Sequence, residues 1–217
     1  MKIIEVKKDV LSKNDEIAAR VRANLGKRGI FAINLVSSPG SGKTTLLVKT
    51  INDLKSKIPI AVIEGDQQTD NDAKRIAQTG VPVIQINTLS ACHLDAAMVE
   101  KALPDLPFPG PGLLFIENVG NLVCPASYDL GENMKAALVS VTEGEDKPMK
   151  YPKAFRVSSV MVITKTDLLP HLEFDMARLL DCAGKINPNL NVFHLSAKTG
   201  DGLDDWYDYL LAMARGS

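Results

Sequence analysis

Phe31–Val36 is a short apolar run interrupted only by Asn34, and it leads into Ser37-Ser38-Pro39-Gly40-Ser41-Gly42-Lys43-Thr44-Thr45. Helical spacing follows, from Thr44 to Lys57. No other stretch restricts the fold as tightly. Gly40 and Gly42 let the backbone wrap its N–H groups around an anion, and the helix behind them adds the positive end of its dipole. The string is the phosphate-loop pattern of a glycine, four residues and Gly-Lys-Thr, with Ser37 where the first glycine usually stands. In that pattern Lys43 reaches the β- and γ-phosphates and the Thr44 hydroxyl holds magnesium. The plainer alternative, a glycine-rich turn with an exposed lysine, fits the strand–loop–helix context poorly.

The rest of the chain repeats this alternation. Further apolar runs are Ile60–Glu64, Pro82–Ile86, Leu113–Glu117, Ala136–Val141, Val157–Thr164 and Val192–Leu195. Between them lie the helix-like stretches Asp70–Gln78, His93–Leu103, Leu172–Ala183 and Leu203–Ala214. Continuous β-branched runs alternating with helices predict an α/β fold of the P-loop NTPase type, with a mainly parallel central sheet and helices on both faces. Periodicity leaves open whether strand six or seven is antiparallel. Asn14–Leu25 has helical spacing, with Ile17, Val21 and Leu25 on one stripe and Asn14 or Asp15 as the expected N-cap. Gly26 and Gly29 bracket its end. The expected organisation is one domain over 1–217, with a short N-terminal extension and helix over about 1–29. Two long connections, Asn118–Lys135 and Thr142–Phe155, lack periodicity, and such loops are often functional.

Composition narrows the partners. Of 217 residues 45% are hydrophobic and 24% charged, and the net charge of -1 gives no basic surface for nucleic acid. No apolar run approaches the roughly 20 residues of a membrane span, and Met1 to Leu11 lacks the apolar core of a signal peptide. The expected location is the cytoplasm. The three cysteines, Cys92, Cys124 and Cys182, are too few for a disulfide framework and read as metal ligands or buried hydrophobes.

Thr164-Lys165-Thr166-Asp167 follows an apolar run and is similar to the guanine-reading Asn-Lys-x-Asp signature, with Thr for Asn. An Asp there accepts two hydrogen bonds from guanine N1–H and the 2-amino group, a donor pair that adenine lacks. Ser196-Ala197-Lys198 is similar to the Ser-Ala-Lys signature that backs the base. Each tetrapeptide or tripeptide alone is weak; the two in order behind a phosphate loop favour GTP over ATP. Glu117-Asn118-Val119-Gly120 ends the fourth run, and Glu64-Gly65-Asp66 ends the second. Both sets of acids fall at carboxyl ends of strands, where open α/β sheets bind ligands. Asp66 and Glu117 are the expected holders of magnesium or its waters, with helix capping as the alternative. Gly120 is the expected γ-phosphate sensor. Lys43, Thr44, Asp66 and Glu117 are the expected catalytic set, and with no obvious residue to orient water, intrinsic hydrolysis should be slow.

Cys92-His93 opens the helix-like stretch after the third run, and Cys124 lies in the long loop after Glu117. Thiolate plus imidazole suits nickel, zinc or copper rather than magnesium. A thiol at a helix N-terminus has a lowered pKa. Three ligands leave a place for water, for a residue such as Asp95, or for a partner chain. By spacing alone, ordinary buried cysteines are the stronger reading. Cys182 fits the core face of an amphipathic pattern, and His171 and His194 read as structural.

With these residues in place, the chain resembles the HypB family, P-loop GTPases of the SIMIBI class that load nickel into nickel–iron hydrogenases. The resemblance spans nearly the whole chain. It rests on Val36–Thr45, Glu64-Gly65-Asp66-Gln67-Gln68-Thr69, Cys92-His93-Leu94-Asp95, Glu117–Pro125 and Lys150-Tyr151-Pro152-Lys153. It implies a slow GTPase that cycles between GTP and GDP with magnesium, and nickel or zinc held by Cys92, His93 and Cys124. It also implies a homodimer in the GTP state, with Leu168 and Leu172 at dimer contacts. The implied partner is a hydrogenase maturation protein or the hydrogenase large-subunit precursor, with neither nucleic acid nor membrane involved. The related UreG GTPases of urease maturation have a Cys-Pro-His motif that is absent here. Met1–Asn24 carries neither cysteine nor histidine, so the expectation is that this stretch holds neither the N-terminal cysteine motif nor the His-rich nickel store of some relatives, and that any nickel function falls to the G-domain site. The alternatives are a regulatory GTP switch with a structural zinc clamp, a nickel GTPase for urease, and an ATP-dependent kinase or ligase on the same fold. Thr164–Asp167 argues against the last.

Overall fold

The computed structural model describes residues 6–66, 70–89 and 91–216, with side chains from Val10 onward. Gln67, Gln68 and Thr69 of the second acidic motif, and the first five residues, therefore lie outside it. Helix α1 (Val6–Lys27) precedes a regular alternation: β1 (Ile30–Ser37), α2 (Lys43–Leu54), β2 (Ile60–Asp66), α3 (Asn71–Ala77), β3 (Val83–Asn87), α4 (Ala96–Ala102) and β4 (Gly112–Glu117). Then come β5 (Met134–Ser140), α5 (Lys147–Lys150), α6 (Pro152–Val157), β6 (Val160–Thr164), α7 (Met176–Ile186), β7 (Asn191–His194) and α8 (Leu203–Arg215). The seven strands form one sheet in the order β3-β2-β4-β1-β5-β6-β7. Every pairing is parallel, which settles the direction left open for strands six and seven. This is the predicted P-loop NTPase fold.

Side chains of β1 alternate between two cores. Phe31, Ile33 and Leu35 pack with Leu46, Leu47 and Ile51 of α2 and Trp206 and Leu210 of α8. Ile30 and Ala32 pack on the other face with Val21 and Leu25 of α1 and Val99 of α4. A third cluster joins Ala137 and Val139 of β5 to Phe155 of α6 and Leu179 of α7. A strand covered on both faces must be apolar on both faces, and that is why these runs are continuous rather than alternating. Among the described residues no helix is long and apolar enough to cross a membrane.

Several local expectations change. Asn14 is not an N-cap, because α1 starts at Val6 and runs through it. Its side chain is buried and bridges two other elements, donating to the Asp129 carbonyl at 2.8 Å and accepting from Ala96 N at 2.9 Å. The Ile17, Val21 and Leu25 stripe is the packed face, as predicted. Helix α4 begins at Ala96 rather than at Cys92, because the Asp95 carboxylate caps it by accepting from Met98 N at 2.8 Å. Val157 closes α6 instead of opening the sixth strand, and the stretch from Thr166 to His171 is a 3-10 turn before α7. The connection Thr142–Phe155 contains α5 and most of α6.

Candidate nucleotide and metal site

Carboxyl ends of β1, β2, β4 and β6 meet along one edge, where β1 lies between β4 and β5 while the chain itself passes from β1 to β2. That reversal leaves a crevice above the sheet. A cavity of about 520 Å³ fills it, lined by the loop from Ser37 to Thr45 together with Glu64, Asp66, Asn118 and Gly120. Gly40 and Gly42 have φ of 74° and 89°, the left-handed backbone that this loop requires. Gly120 lies so close to the loop that an added Cβ would sit 3.3 Å from Pro39 backbone atoms. The expected γ-phosphate sensor thus packs directly on the expected phosphate cradle.

Lys43 and Thr44 converge on Glu117. Lys43 Nζ donates to Glu117 Oε1 at 2.8 Å and Thr44 Oγ1 donates to the same oxygen at 2.6 Å. Among the described residues, the other Glu117 oxygen is buried without a hydrogen-bond partner, as is one oxygen of Glu64. Parallel register sets Glu64 opposite Glu117. A hydroxyl, unpartnered carboxylate oxygens and a partly exposed Asp66 are a hard-oxygen set that fits magnesium. Glu64 was not among the expected site residues, because only Asp66 stands at the very end of its strand. Two more contacts had no signal in the sequence. Lys147 Nζ donates to Ser38 Oγ at 2.7 Å, and Arg75, which lines the same cavity, donates to Thr45 Oγ1 at 3.0 Å.

Burial, with the nearby charges of Glu117 and Asp66, pushes the Glu64 carboxyl up to about 8 from an ordinary 4.5. The folded chain then holds a proton that the unfolded chain has released. The stability tied to that proton is complete below pH 4.5 and is lost as pH rises through about 8. Nucleotide-free, magnesium-free protein should accordingly melt at falling temperature across that window, and Glu64→Gln should flatten the slope. The check is a set of thermal unfolding curves between these pH values; parallel slopes for the two proteins would contradict the assignment.

On the far side of the phosphate loop, a cavity of about 280 Å³ is lined by Thr45, Thr164, Lys165, Asp167, Ser196, Ala197 and Lys198. The two weak signatures are therefore one pocket. Thr164 Oγ1 donates to the Ser41 carbonyl at 2.5 Å, tying β6 to the loop. Lys165 adopts a left-handed φ of 60° and its Nζ donates to the Gly40 carbonyl at 2.7 Å. Asp167 accepts from Ser196 Oγ at 2.6 Å, and Ser196 Oγ accepts from the backbone of Lys198 at 3.2 Å. Asp167 is thereby held at the pocket wall. Asp167→Asn should weaken GTP and admit xanthosine triphosphate, since the amide reverses one hydrogen-bond partner. Competition binding with both nucleotides checks this; unchanged GTP preference would remove Asp167 from base recognition.

The soft-ligand residues also come together. Ligand atoms of Cys92, His93 and Cys124 all lie within 4.8 Å of one another, and the two sulfurs are 2.9 Å apart. All three are half-buried. His93 stacks on Tyr128 with ring centroids 4.0 Å apart. Burial lowers its pKa, opposed by Asp95, so the ring is neutral at physiological pH and keeps a lone pair for a metal. Cys92 and His93 sit in the segment before α4, not in its first turn, so the helix-dipole argument for an activated thiol does not apply. Asp95 is engaged as the α4 cap and falls outside the cluster. Cys182, on α7, and the exposed His171 and His194 are likewise outside it. Leu168 packs against the third core, while Leu172 is 39% exposed.

Fold, phosphate loop and the pocket that joins the Thr164–Asp167 and Ser196–Lys198 signatures are those of a P-loop GTPase, and residues 31–194 match the CobW/HypB/UreG nucleotide-binding domain family. Within it, the chain belongs to the HypB hydrogenase maturation factors. It is 56% identical over 209 residues to hydrogenase maturation factor HypB of Escherichia coli K12, covering 96% of this chain and 72% of that one. Helicobacter pylori J99 hydrogenase/urease maturation factor HypB is 41% identical over 218 residues, or 99% and 89% of the two chains. The crystal structure of Helicobacter pylori HypB in complex with nickel superposes with a TM-score of 0.89 at 40% identity, over 94% of this chain and 96% of that chain. HypB from Archaeoglobus fulgidus superposes at 0.87 with 37% identity, over 94% and 100%. At 14% identity and a TM-score of 0.51, the signal recognition particle receptor FtsY of Elizabethkingia anophelis, over 83% of this chain and 64% of that one, shares the fold alone.

Proposed function

We propose that this chain is a GTP-hydrolysing nickel metallochaperone for nickel–iron hydrogenase. Nickel is its cargo, held by Cys92, His93 and Cys124. GTP lies over the phosphate loop from Gly40 to Thr45, with its base against Asp167 and Ser196. Thr44, Asp66 and Glu117 would hold magnesium, whose charge would neutralise developing phosphate charge beside Lys43. The observation that carries the reading is continuity. Glu117, Gly120 and Cys124 follow one another in the single segment leaving β4, and Gly120 packs against Pro39 of the phosphate loop. A γ-phosphate that orders this segment restrains Cys124 as well. Three ligands per chain leave the metal shell incomplete. The GTP state therefore favours a two-fold dimer that brings two such sets together, and hydrolysis releases the metal to a maturation partner or to the large-subunit precursor in the cytoplasm.

A structural zinc clamp is the competing use of the same ligands, and delivery to urease is a competing destination. Light scattering of the protein with GDP and with a non-hydrolysable GTP analogue, each with nickel, tests the dimer. Mass should double only with the analogue; a monomer throughout would contradict it.

A further inference from the structure

Leu94 links the two halves of the site through both its backbone and its side chain. It follows Cys92-His93 directly and is fully buried. Its N–H donates to Asn118 Oδ1 at 3.1 Å. Its side chain fills the space in front of Gly65, where an added Cβ would sit 2.7 Å from Leu94 Cγ. Gly65 separates Glu64 from Asp66, and Asn118 follows Glu117, so Leu94 rests on both acid-bearing strand ends at once. Asn118 is itself fixed. It is fully buried, its Oδ1 also accepts from Val119 N at 3.0 Å, and its amide donates to Asn34 Oδ1 at 3.2 Å. A buried N–H without an acceptor is costly, so Leu94 must follow Asn118 when that side chain moves.

From these contacts we infer that Asn118 and Leu94 are positioning residues that transmit the state of the nucleotide site to the Cys92-His93 segment. The route is distinct from the chain continuity between Gly120 and Cys124. It acts on the other two ligands, across strands rather than along the chain. The Cys124 side has its own anchor, since Lys135 Nζ donates to the carbonyls of Pro125 at 3.0 Å and Tyr128 at 2.9 Å. With that side held to β5, a shift of Asn118 changes the distance between Cys92-His93 and Cys124. The binding-competent arrangement is thereby tied to which nucleotide is bound.

The inference rests on the nucleotide-gated nickel binding proposed above, and the test separates the two. Nickel affinity is measured with GDP and with a non-hydrolysable GTP analogue, for the unaltered chain, Asn118→Ala and Leu94→Ala. GDP affinity and thermal unfolding serve as controls for folding. The unaltered chain should show a ratio in the range of roughly 5- to 150-fold, and Asn118→Ala, compared at nucleotide concentrations that saturate each protein, should reduce it to under about twofold. Leu94→Ala, which keeps the N–H contact but empties the space at Gly65, should reduce the ratio too, and it decides the matter if Asn118→Ala does not fold. Hydrogen exchange at the Leu94 amide supplies a readout that general destabilisation does not reproduce. Its rate should differ between the two nucleotide states in the unaltered chain and become equal in Asn118→Ala. An unaltered chain with equal nickel affinities overturns both the gating and this route. A ratio that persists in the folded variants overturns the route and leaves the gating intact.

Discussion

Lys43→Ala should lower GTP turnover by roughly a hundredfold or more, the usual cost of deleting a charge aimed at a developing phosphate. Without nucleotide, Lys43 Nζ lies 2.8 Å from Glu117 Oε1, on the floor of the phosphate cavity. On the proposed function, its charge turns to the β- and γ-phosphates of bound GTP. The change removes a cation from a site that also holds the buried carboxyl groups of Glu64 and Glu117. The chain should still fold, because Thr44 Oγ1 continues to donate to Glu117 and the raised Glu64 carboxyl is already uncharged at neutral pH. Steady-state phosphate release checks the prediction. Full activity in the folded variant would mean that the loop does not act on the phosphates.

The second large effect belongs to Cys124. Cys124→Ala should weaken nickel binding by more than ~100-fold, because loss of a ligand exceeds the 10- to 100-fold cost of losing a residue that merely supports one. Measured without nickel, GTP affinity should stay close to that of the unaltered chain, since Cys124 does not line the phosphate cavity. Cys182→Ala is the matched control. It removes the same atoms from α7, outside the ligand cluster, and should leave nickel affinity unchanged. Metal titration of the three proteins decides it, and equal behaviour of the two variants would dissolve the distinction between site and scaffold cysteines.

What the sequence made legible follows from the range over which each signal acts. The phosphate loop was readable because strand, glycines, lysine and helix are contiguous, and each has one local role. The parallel sheet was readable because burial on both faces leaves continuous apolar runs. Signals set by tertiary contacts were misread. Asn14 has the chemistry of a helix cap, but it spends both ends of its amide on Asp129 and Ala96 from the middle of α1. Cys92-His93 looked like a helix start because the true cap, Asp95, lies only two residues beyond His93. Glu64 was overlooked in favour of Asp66, because the register that sets Glu64 opposite Glu117 pairs strands separated in the chain by α3, β3 and α4. Lys135 gave no warning at all. A lysine in a strand ordinarily faces water, yet this one is 7% exposed and holds two carbonyls of the cysteine-bearing loop. Cysteine and histidine spacing alone left the metal and core readings open, and only the fold brought Cys92, His93 and Cys124 within reach of one ion.

Gating of nickel by nucleotide is the centre of this account, and equilibrium nickel titration of one protein in two nucleotide states tests it most directly. With saturating GDP, and then with a saturating non-hydrolysable GTP analogue, the nickel dissociation constants should differ by roughly 5- to 150-fold, and linkage requires nickel to shift the nucleotide affinities by the same factor. Identical nickel affinities in the two states would contradict the account, leaving a GTPase beside a metal site that it does not control.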